Sequence, residues 1–327
     1  MSLQAETATA GRPTVGRIAR MVRSSGVLDW AIVLALLVLM AVGALASPLF
    51  LTAGNITSIL VACSILVVVA IGQTFVIITA GIDLSVGSLV QISCVMIGIS
   101  VTQKWGVPIG IVMAVVTGMM FGIISGIVIS KGRISDFIAT LGMLSIVSGC
   151  ALVLSNGRPV GVISPLLTGL ASGSYGPIPN ITLLAAVVAV LAHLLLFHTQ
   201  LGTHLFAVGG NHEGSRNLGL KVARIKIAAF AISGLLAGIA GVMLTARIGS
   251  AEPATGSSYL LNSIAASVLG GTSLFGGRGT VVGPVVGALV LTALLNLMTL
   301  LGVGVFYQPI VTGMVVILFA IAYRFQK

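Results

Sequence analysis

The chain has 327 residues, of which 57% are hydrophobic and only 7% are charged. Soluble domains contain about 25% charged residues, so this composition excludes a soluble enzyme or binding module and indicates an all-α polytopic membrane protein. The net charge of +10 does not indicate nucleic-acid binding, because the cations lie between apolar segments, where they set the orientation of membrane helices.

Residues 1–27 are polar and carry four arginines, which predicts a disordered basic tail in the cytoplasm, followed by a membrane domain over 28–327. The first apolar run is too long for the core of a cleavable signal peptide. A helix needs about 20 apolar residues to cross the hydrocarbon core. Ten spans are predicted on that basis, at approximately 28–47, 59–79, 84–103, 108–130, 136–154, 181–198, 227–246, 260–276, 281–300 and 305–323.

The lysines and arginines support this division. With the N-terminus inside the cell, thirteen of the sixteen lie on the cytoplasmic side, and only Lys104, Arg158 and Arg247 lie outside. This distribution obeys the positive-inside rule, so both termini are expected in the cytoplasm. The connection 155–180 would lie outside, either as a partly inserted half-helix or as an extracytoplasmic cap.

One carboxylate, Asp83, lies between Gly81 and Gly87 in an otherwise apolar stretch, residues 71–89. A charge at bilayer depth costs at least about 2.5–3.5 kcal/mol and persists where protein or water surrounds it. The glycines permit a sharp backbone break, which at that depth must face protein or a wet cavity. The segment therefore predicts part of a translocation path or its gate. The alternative is a short loop with Asp83 at the headgroup level.

The connection 199–226 should lie inside the cell and contain a short helix. Asn211 can cap this helix, with Glu213 in its first turn and Arg216 in its last turn, before Gly219. An early acid, a late base and a terminal glycine match the helix dipole and a left-handed stop. Such a helix would be a docking element for a soluble partner; the alternative is a solvated loop whose capping residues occur by chance.

An inverted internal repeat is also predicted, over residues 59–154 and 227–323. Its basis is that Asp83 and Glu252 are each followed, at the same offsets, by a Gly-Ser pair that opens the next span. The two acids follow spans that run in opposite directions, as in transporters that work by alternating access. Because few positions match, coincidence remains the alternative.

Glycines at intervals of four residues predict close helix packing, mostly within the subunit, with a subunit interface as the alternative. They are Gly118, Gly122 and Gly126, then Gly234 and Gly238, then Gly283 and Gly287. The cysteines Cys63, Cys94 and Cys150 lie in apolar runs without metal-ligand spacing and are expected to be free thiols.

No catalytic or metal-binding pattern is evident in the sequence, so neither a catalytic residue nor a metal site is predicted. The segment GTSLFGGR, residues 271–278, has the glycines of a phosphate loop but lacks the Lys-Ser/Thr that must follow them. A tight turn at the inner end of span eight is the expected structure. No cofactor is therefore expected in this chain, and ATP hydrolysis, if it drives transport, must occur on a separate chain.

Four segments resemble one known family. They are GQTFVIITAGIDLSVGS (72–88), SDFIATLGMLSIVSG (135–149), FAVGGN (206–211) and VLGGTSLFGGRGTVVGPVVGAL (268–289). They are similar to the membrane permease subunits of bacterial ABC importers for ribose and related monosaccharides, the ribose/xylose/galactose type. The resemblance runs from about residue 30 to the C-terminus.

The resemblance implies a fold like that of the vitamin-B12 importer, a type II importer permease, with about ten transmembrane helices per subunit. It implies a multi-pass protein of the bacterial inner membrane, in contact with lipid. Its expected partners are a second permease subunit, identical or paralogous, a periplasmic sugar-binding protein and a cytoplasmic ATPase that binds ATP and magnesium. No nucleic-acid partner is expected.

The resemblance also implies roles for individual residues. The ATPase coupling contact would comprise Asn211, Glu213, Arg216, Asn217 and Gly219. The path or gate would comprise Gln73, Gly81, Asp83, Ser85, Gly87 and Ser88.

An ion-coupled secondary transporter that uses Asp83 and Asp136 is the competing prediction. The shortage of acids and the docking-type loop count against it. A third reading, an intramembrane enzyme, lacks any nucleophile–base pair.

Overall fold

The computed structural model describes residues 32–324; the predicted basic tail, 1–27, lies outside the described residues. The helices are α1 (Ile32–Ala46), α2 (Ala53–Ile78), α3 (Val86–Thr102), α4 (Val107–Gly132), α5 (Asp136–Ser155), α6 (Pro165–Ser172), α7 (Asn180–His198), α8 (Gln200–Gly210), α9 (His212–Asn217), α10 (Val222–Ile248), α11 (Ser257–Leu269), α12 (Val282–Leu300) and α13 (Gln308–Arg324). A 3-10 turn, Val305–Tyr307, precedes α13. Antiparallel pairs join β1 (Val160–Gly161) to β4 (Ser250–Ala251), and β2 (Ser174–Tyr175) to β3 (Ile178–Pro179).

Each predicted span coincides with a helix, and the prediction of an all-α polytopic membrane protein is confirmed. In the described part of the chain, six helices are long and apolar enough to cross a bilayer: α2, α4, α5, α7, α10 and α12. The helices α1, α3, α11 and α13 are shorter, so the total of ten crossings stays a prediction.

Three predicted helix limits are wrong. Span eight was predicted to run to residue 276, but α11 ends at Leu269 because the glycine-rich turn that follows adopts positive φ angles at Gly271, Gly276 and Gly277. Conversely, α10 begins five residues before the predicted 227. Helix α2 begins six residues before the predicted 59, because hydroxyls in its first turns, such as that of Ser58, donate to helix carbonyls and make a polar turn compatible with the helix.

The core is built around α2 and α10, which pack against each other. Helix α2 is buried almost continuously from Cys63 to Ile78, and it also contacts α7, α11 and α12. Helix α10 contacts α3 and α4 on its other sides. Helices α4, α5 and α7 lie at the periphery and expose apolar side chains, among them Val112, Ile138 and Leu191. This arrangement predicts a lipid-facing surface on those three helices.

The predicted glycine packing is confirmed as packing within the chain. The α4 stripe lies against α10, where a Cβ added at Gly126 would come 2.7 Å from the Ile227 Cα. Gly234 and Gly238 are the reciprocal contacts on α10, facing α4. Gly287 lies against Ala266, which joins α12 to α11. Small residues therefore allow the backbones of the core helices to approach closely.

The connections gather at two opposite ends of the helix bundle. At one, here called the α9 end, the Gly277 N–H donates to the Ile78 carbonyl at 2.9 Å, and Asp136 lies against Gly81. At the other, the β4 end, β1 pairs with β4, and α6 packs on α7 and α10. Connections predicted to share one side of the membrane thus meet at one end. The 155–180 segment contributes β1, α6 and the β2–β3 hairpin at the β4 end.

Candidate functional site

The site begins where α2 ends, in a turn that reverses the chain. The Ala80 N–H donates to the Ile77 carbonyl and the Gly81 N–H to the Val76 carbonyl, the two bonds of a Schellman stop. Ala80 takes the left-handed conformation, with φ of 59°, at a cost of about 1 kcal/mol that a glycine would avoid. The turn sends residues 81–85 back along the last turns of α2.

Asp83 is fully buried in this returning segment, and its carboxylate accepts three hydrogen bonds. The Ser85 backbone N–H and hydroxyl donate to Oδ1 at 2.9 and 2.6 Å, and the Ser233 hydroxyl of α10 donates to Oδ2 at 2.9 Å. Charge-assisted hydrogen bonds are the strong ones and offset part of the cost of burying the carboxylate. Asp83 therefore ties the α2–α3 connection to α10.

Two further predicted residues complete this cluster, here called the Asp83 node: Gln73, Asp83, Ser85, Ser88 and Ser233. The Gln73 amide lies against the Asp83 backbone; with its oxygen towards the N–H (3.1 Å) and its nitrogen towards the carbonyl (3.2 Å), it makes two hydrogen bonds. The Ser88 hydroxyl donates to the Ser85 carbonyl at 2.7 Å. All five side chains are buried, so the node is closed.

The predicted glycines lie on either side of the node. Gly81 faces the Asp136 carboxylate, and Gly87, at the start of α3, lies against Gly256, just before α11. The Gly-Ser corners of the two proposed repeats therefore meet inside the bundle. Each proposed repeat also packs against the other. Helix α3 of the first repeat contacts α10 of the second, and α11 of the second contacts α2 of the first. Glu252 lies outside the node.

Asp136 forms an ion pair beside the node. Its two carboxylate oxygens each lie 2.7 Å from the Lys226 Nζ at the start of α10, and both side chains are 14% exposed. The pair joins the start of α5 to α10 at the α9 end. Within α5, the Thr140 hydroxyl donates to the Asp136 carbonyl and fixes the same turn.

The short helix predicted within 199–226 is present as α9. The Asn211 side chain accepts from the Gly214 N–H at 2.7 Å, Glu213 lies in the first turn, and Arg216 lies in the last. Gly219 follows in the left-handed conformation, with φ of 80°. The predicted coupling residues, including Asn217, are exposed together at this end.

A basic groove of about 670 Å³ runs beside α9. Its cations come from the α4–α5 connection and from α9–α10: Lys131, Arg133, Arg216, Lys221, Arg224 and Lys226. Asp136 is the carboxylate in the lining and already pairs with Lys226. The exposed tip next to the groove carries Leu218, which is 84% exposed. The arrangement can receive an acidic surface with an apolar contact at its edge.

A polar cavity that the sequence analysis did not predict opens towards the β4 end. It has a volume of about 360 Å³ and lies between α2, α11, α12 and the start of α13. We call it the outer cleft, because the predicted topology puts the β4 end outside the cell. It is defined by Arg247, Tyr259, Asn262, Thr292, Asn296 and Gln308. One signal could have found it, since the polar residues of span nine, Thr292, Asn296 and Thr299, recur at helical spacing on one face.

An apolar helical bundle with a closed polar node, a basic groove at one end and a polar cleft open at the other defines a polytopic membrane permease. A model of the family described as "Branched-chain amino acid transport system / permease component" matches residues 55–320, and the chain belongs to that family.

Relatives that match most of the chain identify the type of permease more narrowly. The chain is 39% identical over 289 residues to the ribose import permease protein RbsC of Escherichia coli strain K12, covering 87% of this chain and 90% of that protein. It is 37% identical to the RbsC protein of Bacillus subtilis, covering 87% and 89%. It is 35% identical to the L-arabinose ABC transporter permease protein AraH of Azospirillum brasilense, covering 95% and 91%. No solved structure matches.

The prediction of a sugar ABC importer permease is therefore confirmed at the level of the family. Its relatives are named as permeases, which are transport components rather than enzymes. The apolar helices and these relatives identify a multi-pass protein of the inner membrane.

Proposed function

We propose that this chain is the permease subunit of an ATP-driven, binding-protein-dependent importer of a monosaccharide or a similar small polyol. It would form the translocation path with a second permease subunit, either an identical copy or a paralogue. The observation that carries the proposal is the likeness over nearly the whole chain to permeases named for ribose and L-arabinose.

The cytoplasmic ATPase would dock at the α9 end. Helix α9 would be the coupling helix, with Asn211, Glu213, Arg216, Asn217 and Gly219 at the contact. The adjacent basic groove supports an acidic partner surface, because charge complementarity steers association and fixes register. ATP and magnesium would be bound by that ATPase, and no cofactor by this chain. This placement puts the α9 end and both termini in the cytoplasm.

The β4 end would then face the periplasmic sugar-binding protein. The connection 155–180 lies at that end, so β1, α6 and the β2–β3 hairpin are candidates for the contact with this partner. A permease that receives sugar from a separate binding protein can have a weakly polar path. This fits a membrane domain with few ionisable groups.

The Asp83 node would act as the inner gate. It joins the returning segment 81–85 to α10. The first turns of α10, which include Lys226, lie beside the coupling helix. Movement of the coupling helix would therefore be transmitted to the node through the first turns of α10. The fold would be of the vitamin-B12-importer type with ten crossings. The repeats 59–154 and 227–323 would move against each other around the Gly87–Gly256 contact.

The competing function, an ion-coupled secondary transporter, would need a carboxylate free to bind a proton or sodium ion. Asp136 is engaged by Lys226 at 2.7 Å, and the Asp83 carboxylate accepts from Ser85 and Ser233. Both acids thus have structural partners, which favours the ATP-driven mechanism.

Reconstitution tests the proposal. The chain is placed in proteoliposomes with a candidate ATPase and a candidate sugar-binding protein from the same genome. Uptake of ribose and of L-arabinose is measured with ATP, with a non-hydrolysable analogue, and after ion gradients are dissipated. We expect uptake of one sugar with ATP alone, insensitive to loss of the gradients. Uptake without the ATPase, or uptake that requires an ion gradient, would contradict the proposal.

The coupling contact is tested in the same system. The double substitution Glu213→Ala and Arg216→Ala should reduce ATPase stimulation by the loaded binding protein at least about fivefold, because hot-spot contacts cost more than about 1 kcal/mol. Lys104→Ala is the matched control, since it removes an exposed charge near the β4 end that lies outside the 155–180 connection. Equal stimulation in both variants would rule out α9 as the contact.

A further inference from the structure

We propose that the outer cleft is the sugar-binding part of the translocation path, in which the side chains of Tyr259, Asn262 and Thr292 contact the sugar. Asn296 forms part of the wall, where its amide exchanges two hydrogen bonds of 2.9 Å with that of Asn55 in α2. This inference rests on the proposed function and deepens it by naming contacts. The residues around Asp83, predicted from the sequence to form the path or its gate, are closed by their own hydrogen bonds.

The cleft is polar because two helices, α11 and α12, turn amide and hydroxyl side chains towards it. On α12, Thr292, Asn296 and Thr299 follow a spacing of four and three residues, which places them on one face. On α11, Ser258 and Asn262 are likewise four residues apart. These faces converge on one cavity.

Such a face does not suit contact with lipid. Polar side chains in a membrane helix face the bundle interior, a partner or water, because hydrocarbon offers no hydrogen bonds. The exposed sides of α4, α5 and α7 show the contrast, since they present Val116, Ile146 and Val190 to their surroundings. The cleft is therefore a water-filled space or one shared with the second permease subunit.

The chemistry of the lining selects a neutral polyol. Amide and hydroxyl groups supply both donors and acceptors, as a sugar requires, and Tyr259 adds an aromatic ring. The residues that line the described cleft include no Asp or Glu, and the single cation, Arg247, lies beside Tyr259. A volume of about 360 Å³ lies at the lower end of ligand pockets, which suits a small solute.

The cleft is closed on the side towards the Asp83 node. Its deepest residue on α2 is Leu66; further along that helix, the Ser267 hydroxyl of α11 donates to the Ala70 carbonyl at 2.9 Å. The Thr74 hydroxyl donates to the Ser267 hydroxyl at 3.1 Å and extends this contact between α2 and α11. Gln73 of the node is seven residues beyond Leu66, about 10 Å along the helix axis. A sugar in the cleft would thus rest above a closed inner gate.

Cysteine labelling in cells tests the inference. Asn262→Cys and Thr299→Cys are treated from outside with a charged, membrane-impermeant thiol reagent. The wild-type chain supplies the baseline, because Cys63 and Cys94 are buried and the partly exposed Cys150 is common to every variant. Val153→Cys is the matched control. Val153 is 76% exposed on the apolar surface of α5, close to the end of that helix that lies at the β4 end of the bundle. Both cleft variants should react at least about tenfold faster than the control, because the reagent enters water but not lipid.

The modified variants are then assayed for import of ribose and of L-arabinose. We expect the adduct on Thr299→Cys, a lining position outside the proposed sugar contacts, to abolish import relative to unlabelled Thr299→Cys, while the binding protein still stimulates the ATPase, which shows that the complex is folded. Labelling as slow as in the control, or import by fully labelled variants at the unlabelled rate, would overturn the inference.

Failure of the proposed function is seen separately, as absence of ATP-driven uptake of both sugars by the unlabelled wild-type complex. That outcome would overturn the sugar path as well, whatever the labelling. An importing wild-type complex with an unreactive cleft would overturn the cleft alone.

Discussion

The Asp83 node and the outer cleft are both polar regions of an apolar bundle, but they differ in what their polar atoms face. At the node the Asp83 carboxylate accepts three hydrogen bonds from the chain itself, and every side chain is buried. In the cleft, Asn262 and Tyr259 are only partly buried and face an open cavity. A closed polar cluster holds helices together, whereas an open one is available to a solute.

Because of this difference, substitutions at the node and in the cleft should have different effects on stability and on transport. A change at the node removes partners that no water replaces, so folding should suffer as well as import. The side chains of the cleft already face water, so a substitution there leaves no buried group without a partner. Import should fall while the fold persists.

The largest effect is expected for Asp83→Ala. Three donors, two on Ser85 and one on Ser233, would lose their acceptor, and each buried unsatisfied donor costs about 1–3 kcal/mol. The thermal midpoint of the purified subunit should fall by at least about 5 °C, and import should be lost.

Asp83→Asn is the matched control for this variant. Its amide oxygen keeps an acceptor for Ser85, so the midpoint should lie between those of the wild type and Asp83→Ala, with reduced import and intact assembly with the ATPase. Unchanged midpoint and import in Asp83→Ala would show that the node is neither a structural joint nor a gate.

A smaller effect is expected for Gly256→Ala. A Cβ there would overlap the Gly87 carbonyl oxygen and lie 2.6 Å from the Gln91 Cγ, so the starts of α3 and α11 must separate. Overpacking of this kind costs about 1–3 kcal/mol, which detergent-solubilised thermal unfolding can measure.

Gly142→Ala on α5 controls for helix propensity, because nothing lies within 4 Å of the added Cβ, and it should be neutral or stabilising. If the two variants shift the midpoint equally, the Gly87–Gly256 contact does not hold the halves together.

The long apolar helices were predictable from the sequence because each carries one strong signal, a run of about 20 mostly apolar residues. Helix α9 was predictable because its signals are local: Asn211 caps it, and Glu213 and Arg216 match its dipole. Hydropathy was a poor guide to the end of α11, where backbone hydrogen bonds decide the last helical residue. The glycine-rich turn that follows is itself fairly apolar, so hydropathy does not separate it from the helix.

The candidate site was only half predictable. Asp83 was evident as a lone acid, but its partner Ser233 lies 150 residues away and no local pattern links them. The outer cleft escaped because a path for a neutral solute contains no charge signature. Its amides and hydroxyls lie on different helices, and only the folded bundle brings Asn262 and Asn296 to one cavity.

The central claim is that the cleft is open while the node is closed, and that transport opens the node. It is tested most directly by labelling two near-isosteric variants, Ser258→Cys in the cleft and Ser88→Cys in the node, in the reconstituted complex with and without ATP and loaded binding protein. We predict that Ser258→Cys reacts from the outer side at rest, and that Ser88→Cys reacts from the cytoplasmic side only during turnover. Reaction of Ser88→Cys at one rate under all conditions, or its complete protection in a complex that imports sugar, would contradict the account.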